Sequence, residues 1–166
     1  MPIRRLTPDD APAYRALRLR ALREHPQAFT SDYVEASKRP VEDSRRRLAS
    51  GWVPFWGAFD DAGALVGMVG LECATGAKQR HKATVVAMVV AQESAGRGIG
   101  RELLRALMAH AVATGLTDLV LTVTEGNASA IRLYEANGFV AFGTEPRAIE
   151  VDGQLFAKVH MHCSLR

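Results

Sequence analysis

The hydrophobic pattern of this chain switches between a period of two and a period of 3.6, and the switches predict its elements. Ile3 to Leu6 reads as a short first strand. Thr7-Pro8-Asp9-Asp10 then signals a helix start, with Thr7 as cap, Pro8 at the first helical position and Asp10 in the capping-box place. Tyr14, Leu17, Ala21 and Leu22 share one side of that helix, with arginines opposite, and Pro26 stops it. Gln27 to Arg39 has no clear period and reads as a loop with some helical turn. A second helix begins at Pro40, runs through Arg45 and Leu48, and ends at Ser50-Gly51. Val53 to Phe59 and Ala64 to Cys73 read as strands joined by a turn at Asp60-Asp61-Ala62-Gly63.

Beyond a basic loop from Thr75 to Lys82, the segment Ala83 to Ala91 is almost wholly apolar, as in a strand covered on both faces. Ile99, Leu103, Leu104, Leu107, Met108, Ala111 and Val112 then recur at helical spacing, closed by Thr114-Gly115. Asp118 to Thr124 is the next strand, so strand, helix and strand form a crossover with a parallel pair. Asn127 to Asn137 is a helix stopped by Gly138. Phe139 to Gly143 and Leu155 to Cys163 are the last strands, with a turn at Val151-Asp152-Gly153-Gln154. The order is β-α-α-β-β-β-α-β-α-β-β, antiparallel in its first half. With no linker, repeat or low-complexity segment, it predicts one α/β (α+β) domain over residues 1–166.

Composition narrows the class without changing the picture. A chain of 166 residues with 48% hydrophobic and 23% charged residues is an ordinary globular protein with room for a sizeable core. Cys73 and Cys163 fit no metal-ligand spacing and read as buried thiols of a reducing compartment. Met1-Pro2-Ile3-Arg4-Arg5 leads into charge, and no apolar run is long enough for a bilayer, so a cytoplasmic chain without membrane contact is expected. The formal charge of +3 is unevenly placed: Arg15, Arg18, Arg20 and Arg23 fall in one helix and Arg45-Arg46-Arg47 in another. A solvated helix face accounts for them, with a surface for phosphates or acidic substrates as the sharper reading. No aromatic interleaving or recognition motif points to nucleic acid.

Candidate chemistry begins after Val89-Val90-Ala91, where Gly96, Gly98 and Gly100 occupy every second position just before a helix. Bare backbone N–H groups at a helix start, with the positive end of the macrodipole behind them, make an anion site suited to phosphate. The plainer reading is a tight strand-to-helix turn. The absence of Gly-Lys-Ser/Thr excludes a P-loop, and the Rossmann glycine spacing is also missing. No His/Cys/Asp/Glu cluster has metal-ligand spacing, so no metal is expected.

A second stretch, Asn127, Ala130, Leu133, Tyr134, Gly138 and Phe139, has the pattern Asn-x-x-Ala-x-x-Leu-Tyr-x-x-x-Gly-Phe. Together with the loop from Ala95 to Gly100 it resembles the GNAT N-acetyltransferase superfamily, and the element order fits along nearly the whole chain. Ala95 departs from the Arg or Gln usual at the head of that loop, leaving Arg97 and Arg101 as cationic support. The resemblance implies a central, mixed, mostly antiparallel sheet splayed at its parallel pair. It implies acetyl-CoA as co-substrate, its pantetheine beside the backbone of Met88, Val89 and Val90. Its pyrophosphate would lie on the N–H groups of Gly96, Arg97, Gly98, Ile99, Gly100 and Arg101, and Asn127 would hold the cofactor arm. A backbone N–H near Val89 or Val90 would stabilise the oxyanion, and Tyr134 would donate a proton to the leaving thiolate. The acceptor would be a primary amine, of a small molecule or of a peptide or protein N-terminus.

The base that such chemistry needs has no carboxylate at the two positions the superfamily offers, which are Thr84 and Thr122 here. Glu72, at the end of the neighbouring strand, is the substitute, with His81, His160 and His162 behind it. Acceptor specificity is expected from Pro26 to Arg39 and Glu145 to Gln154, with Phe29, Tyr33, Trp52 or Trp56 and the acids Asp32, Glu35 and Glu150 as candidate lining. The resemblance also allows a homodimer through the last strands. The reading from another class is a domain that binds acyl-CoA without catalysis, as a sensor or interaction module.

Overall fold

The computed structural model describes residues 1–166. Its strands are β1 (Ile3–Arg5), β2 (Phe55–Phe59), β3 (Leu65–Cys73), β4 (Lys82–Val90), β5 (Asp118–Thr124), β6 (Val140–Val151) and β7 (Gln154–Ser164). The helices are α1 (Ala11–Glu24), α2 (Tyr33–Ser37), α3 (Val41–Ala49), α4 (Ile99–Ala113) and α5 (Ala128–Glu135). All seven strands join one sheet in the order β1-β2-β3-β4-β5-β7-β6, and β4 with β5 is its parallel pair.

That parallel pairing covers only Lys82↔Asp118, Ala83↔Leu119 and Thr84↔Val120. Past Thr84 and Val120 the two strands separate, so a sheet that is antiparallel elsewhere opens toward the C-terminal ends of β4 and β5. On its other edge β4 stays paired with β3, but two residues, Ala87 and Met88, stand opposite the single Val69 between the pairs Met68↔Val89 and Gly70↔Val86. Ala87 takes φ 52°, a left-handed conformation that alanine rarely adopts, and this β-bulge bends the strand. An unbroken apolar run gives no sign of a bulge.

Each face of the sheet carries a helical layer. A Cβ on Gly67 would meet Ile99 and Leu103 of α4, whereas a Cβ on Gly70 would meet Phe55, whose ring packs edge-on against Tyr14 of α1 at 5.0 Å. Alternate β3 residues therefore face α4 and α1. Leu103, Leu104, Leu107 and Ala111 of α4 are fully buried, as the helical spacing predicts. Burying each of the leucines stabilises the fold by roughly 1.5–3 kcal/mol. Asp10 closes the start of α1: its carboxylate accepts the Thr7 N–H at 2.7 Å and both Arg4 guanidinium nitrogens at 2.8 and 2.9 Å. Arg4, followed by the Thr7 N–H, holds that carboxyl below its usual range.

The structure departs from the sequence reading at two elements. The segment from Gln27 to Arg39 contains a complete short helix, α2, capped by Asp32, whose side chain accepts the Glu35 N–H at 3.0 Å. Three helices thus precede β2, not two. β6 extends far beyond Gly143, to Val151, in a long hairpin with β7. Bulges between Ala141 and Gly143 and between Glu145 and Ile149, with Arg147 at φ 52°, break its alternation and disguise it as a loop. Two buried side-chain polar atoms have no hydrogen-bond partner, the Tyr14 hydroxyl and Arg47 Nε. Each such group costs about 1–3 kcal/mol when left unpaired.

Candidate active site

Where β4 and β5 part, a cleft of about 890 Å³ opens. Its floor is the C-terminal half of β4, lined by Met88, Val89 and Val90. Beyond Thr84 the β5-facing edge of this strand has no strand partner, so its backbone groups are available to the amides of an extended ligand. The cleft runs into the glycine loop, where Ala95, Gly96, Gly98, Ile99, Gly100 and Arg101 line it.

The loop's local geometry explains its glycines. Gly98 is the N-cap of α4 at φ 76°, a left-handed conformation in which it leaves the first N–H groups of the helix without a side-chain cap. Those groups and the macrodipole behind them face the cleft. Gly100 meets a different constraint: a Cβ there would lie 3.2 Å from Leu133 Cδ2 and within 4.0 Å of Val90 and Met88, all on the cleft wall. The residue must be small for the cleft to stay open between β4, α4 and α5.

Asn127 caps α5, its side-chain oxygen accepting the Ala130 N–H and the Ser129 hydroxyl, both at 3.3 Å, and it lines the cleft. Arg97 and Tyr134 do not line it, although Arg101 and the neighbours Ala130 and Leu133 do. The Tyr134 ring packs edge-on against Phe139 at 5.7 Å and is 7% exposed. Burial pushes its phenol up to about 12, so it is protonated at neutral pH.

The opposite wall was legible in the sequence only in part: Gln27, Ala28 and Phe29 fall in the segment Pro26 to Arg39 expected to set acceptor specificity, whereas Arg20, Glu24 and His25 gave no such signal. It consists of α1 and the turn after it, with Arg20, Glu24, His25, Gln27, Ala28 and Phe29 lining the cleft. Arg20 spans to the turn before the glycine loop, bonding Glu93 through two nitrogens at 2.8 and 2.6 Å, and pulls that carboxyl down to about 2. Two buried polar residues fasten the wall to the sheet. The Thr124 hydroxyl donates to the Gln27 carbonyl at 2.7 Å, and Lys158 Nζ donates to Thr30 Oγ1 at 3.0 Å. Burial lowers the Lys158 ammonium from the ordinary lysine range, partly offset by Glu145.

The remaining titratable candidates lie on the α1 side of the sheet, around the point where the strands diverge. Across the sheet the register runs Glu72↔Thr84↔Val120↔His162, so Glu72 and His162 flank the last parallel pair. At one strand spacing per step they stand roughly 14 Å apart. Neither lines the cleft, and Glu72 is exposed. His162 is bonded to Asp118 Oδ1 at 2.7 Å through Nε2, and His160, opposite Thr122, to Glu145 at 3.1 Å. The Thr117 hydroxyl and His162 hold the Asp118 carboxyl below its usual range. Thr122, on a central strand, is exposed, so the helical layer leaves this stretch of sheet open. His81 lies outside the row, in the loop before β4.

A sheet splayed at one parallel pair and an uncapped glycine loop at the same cleft match a known pattern: residues 18–139 match the acetyltransferase (GNAT) family. The chain belongs to the GNAT acetyltransferase family. The mycothiol acetyltransferase of Thermobispora bispora is 34% identical over 134 residues, which cover 78% of this chain and 43% of that protein. The chain thus spans less than half the length of this relative. A GNAT-family acetyltransferase structure from Streptococcus pneumoniae superposes with a TM-score of 0.86 at 24% identity, over 98% of both chains. The yncA structure of Salmonella typhimurium, assigned as an acetyltransferase and solved with its cofactor acetyl-CoA, gives 0.85 at 23% identity, over 100% of this chain and 94% of that one. No helix here is long and apolar enough to cross a membrane.

In this GNAT chain the wall after α1 is held by two side-chain hydrogen bonds, and their removal has a direct readout. Lys158→Met keeps the buried stem but deletes the donor to Thr30. Hydrogen exchange of the backbone around residues 26–32 is expected to quicken up to about tenfold, the equivalent of one net hydrogen bond. Exchange across β5 should stay unchanged, and an unaltered rate at 26–32 would show that the tether is inert.

Proposed function

We propose that this protein is an acetyl-CoA-dependent N-acetyltransferase acting on a primary amine. One observation carries the reading: the unpaired edge of β4 and the uncapped start of α4 line one and the same cleft. An extended chain of amides needs the first feature and a pyrophosphate needs the second. The residues present fit the group, since Gly100 keeps open the space between Leu133 and β4 and Arg101 adds charge at the loop. When bound, acetyl-CoA supplies the acetyl group as an activated thioester.

The chain's own residues then have distinct tasks. Met88, Val89 and Val90 offer backbone hydrogen bonds, one of them to the thioester oxygen as negative charge develops there. Gly96, Arg97, Gly98, Ile99, Gly100 and Arg101 form the phosphate end, with Ala95 contributing backbone only. Asn127, whose amide nitrogen is left over from capping α5, holds the cofactor arm. Tyr134 delivers a proton to the departing sulfur. The amine approaches over the open α1 face of the sheet and loses its proton to Glu72 or to His162, which Asp118 orients. A homodimer through the last strands fits the exposed Val140 and Phe142 on the edge strand β6.

The test is thiol release from acetyl-CoA with a panel of small primary amines, amino acids and N-terminal peptides. Turnover with at least one acceptor is expected. Binding of acetyl-CoA without turnover on any of them would favour the sensor reading, which the threonines at positions 84 and 122 support. With an acceptor in hand, Glu72→Gln and His162→Gln identify the base. The variant lacking it loses rate at neutral pH and regains it as the amine deprotonates in alkaline solution.

A further inference from the structure

On the side of α1 turned away from the cleft, a second and much smaller pocket of about 120 Å³ lies between α1, α2 and α3. It shares no lining residue with the cleft. Four arginines line it, Arg15, Arg18, Arg39 and Arg47, against one acid, Asp43. Four positive charges less one leaves +3, equal to the formal net charge of the whole chain. The arginines that the sequence offers as a solvated helix face are thus gathered, in part, around one small space.

The two buried polar atoms without partners belong to residues lining this same pocket, the Tyr14 hydroxyl and Arg47 Nε. Both are donors, and Tyr14 is 1% exposed. Their positions are fixed by packing. The Tyr14 ring stands edge-on to Phe55, and the Arg47 guanidinium lies 5.5 Å over the same ring. Arg15 is anchored by donating to the carbonyls of Ser37 and Arg39, each at 3.0 Å, and Arg18 to the Ser31 hydroxyl at 2.9 Å. Asp43 is engaged with Arg46 at 3.5 Å and Arg39 at 4.0 Å, so it does not neutralise Arg15, Arg18 or Arg47.

We propose that this pocket is a binding site for a tetrahedral oxyanion of the phosphate type. Donors without acceptors inside a positively charged pocket call for oxygen lone pairs and negative charge together, which a water supplies only in part. The size agrees: about 120 Å³ is the space of about four waters, enough for a phosphate group and too little for a nucleotide. Arginine forks suit phosphate oxygens, and the tyrosine hydroxyl adds a neutral donor. The phosphate is either free or the terminal group of a molecule whose remainder stays outside. The site stands independently of the acetyltransferase reading.

Titration calorimetry in a phosphate-free, low-salt buffer tests it, with inorganic phosphate and with phosphoserine as probes. One equivalent of inorganic phosphate is expected to bind at this pocket in the intact protein, separate from what the glycine loop of the cleft takes up, and binding at the pocket should weaken tenfold or more in Arg47→Met. Arg101→Met, at the cleft, should bind phosphate at this site as the unaltered protein does. Comparable binding of phosphoserine would assign the site to a phosphomonoester group, and binding of inorganic phosphate alone to the free ion. If Arg47→Met folds poorly, Tyr14→Phe replaces it, since it removes only a buried hydroxyl and keeps the ring on Phe55. Saturating phosphate should raise the melting temperature of the unaltered protein by about 5 °C, and clearly less in Tyr14→Phe. Absent binding, or binding and thermal shift indifferent to Arg47 and Tyr14, would overturn the proposal and leave water as the occupant.

Discussion

Replacing Tyr134 by phenylalanine is expected to lower turnover about 100-fold or more, with the KM for acetyl-CoA changing by less than about twofold. The variant removes one oxygen from a ring that is 7% exposed and packed on Phe139, so the fold and the cleft wall formed by Ala130 and Leu133 remain. What disappears is a proton held by a phenol whose burial lifts it to about 12. Unchanged turnover at saturating substrate would remove Tyr134 from the chemistry. The same variant has a second readout. An unfolded tyrosine ionises near 10, and the folded one near 12, so the unfolded chain releases this proton first as pH rises. The stability associated with the neutral phenol is intact below pH 10 and is lost between about 10 and 12. Two units at about 1.4 kcal/mol each amount to about 3 kcal/mol. Urea unfolding at pH 8 and again near pH 12 should show this loss in the unaltered protein and its absence in Tyr134→Phe.

Gly100→Val should raise the KM for acetyl-CoA at least about tenfold, equivalent to about 1.4 kcal/mol, with a smaller change in kcat. The first added carbon would already lie 3.2 Å from Leu133, and two further methyls would enter the space between β4 and α5. Leu133 is the flexible end of a side chain and can give way by a few tenths of an ångström, so the helix survives while the cleft narrows. Direct calorimetry with CoA reads the same effect without an acceptor. A KM unchanged from that of the unaltered protein would mean that the cofactor does not pass between Gly100 and Leu133. Gly98 would be a poorer probe: no atom lies within 4 Å of its hypothetical Cβ, but its φ of 76° would strain any replacement, mixing backbone and cleft effects.

The sequence pattern was informative in proportion to how local its causes are. The crossover from β4 through α4 to β5 follows from apolar periodicity and glycine placement. Its boundaries agree with the structure to within one or two residues at Lys82–Val90, Ile99–Ala113 and Asp118–Thr124. The capping pair Thr7 and Asp10 was also visible, because a cap is decided within three residues. The long strand β6 was not, because two bulges and the left-handed Arg147 interrupt the alternation that betrays a strand. Helix α2 was hidden for another reason: five residues give less than two turns from which to read a period.

The candidate site divides along the same line. The phosphate end was written locally, in three alternating glycines and a helix start. Glu72 and His162 are 90 residues apart, and only the register Glu72↔Thr84↔Val120↔His162 brings them into one row. Likewise, nothing near Gln27 or Thr30 announces that Thr124 and Lys158 will fasten them over the end of the sheet. The arginines of α1 and α3 read as surface charge until helix packing placed three of them, Arg15, Arg18 and Arg47, together with Arg39 around one pocket beside Tyr14.

By itself, then, the amino-acid sequence determined a mixed α/β chain with a glycine loop at a helix start and the two motifs of an acetyltransferase family, since periodicity, caps and turns act over a few residues. Tertiary structure decided where β4 and β5 part, that β4 bulges at Ala87, and which acids, histidines and arginines face one another. Those outcomes depend on strand register and helix packing between segments distant in the chain, where the free energy comes from surfaces meeting and not from local preference.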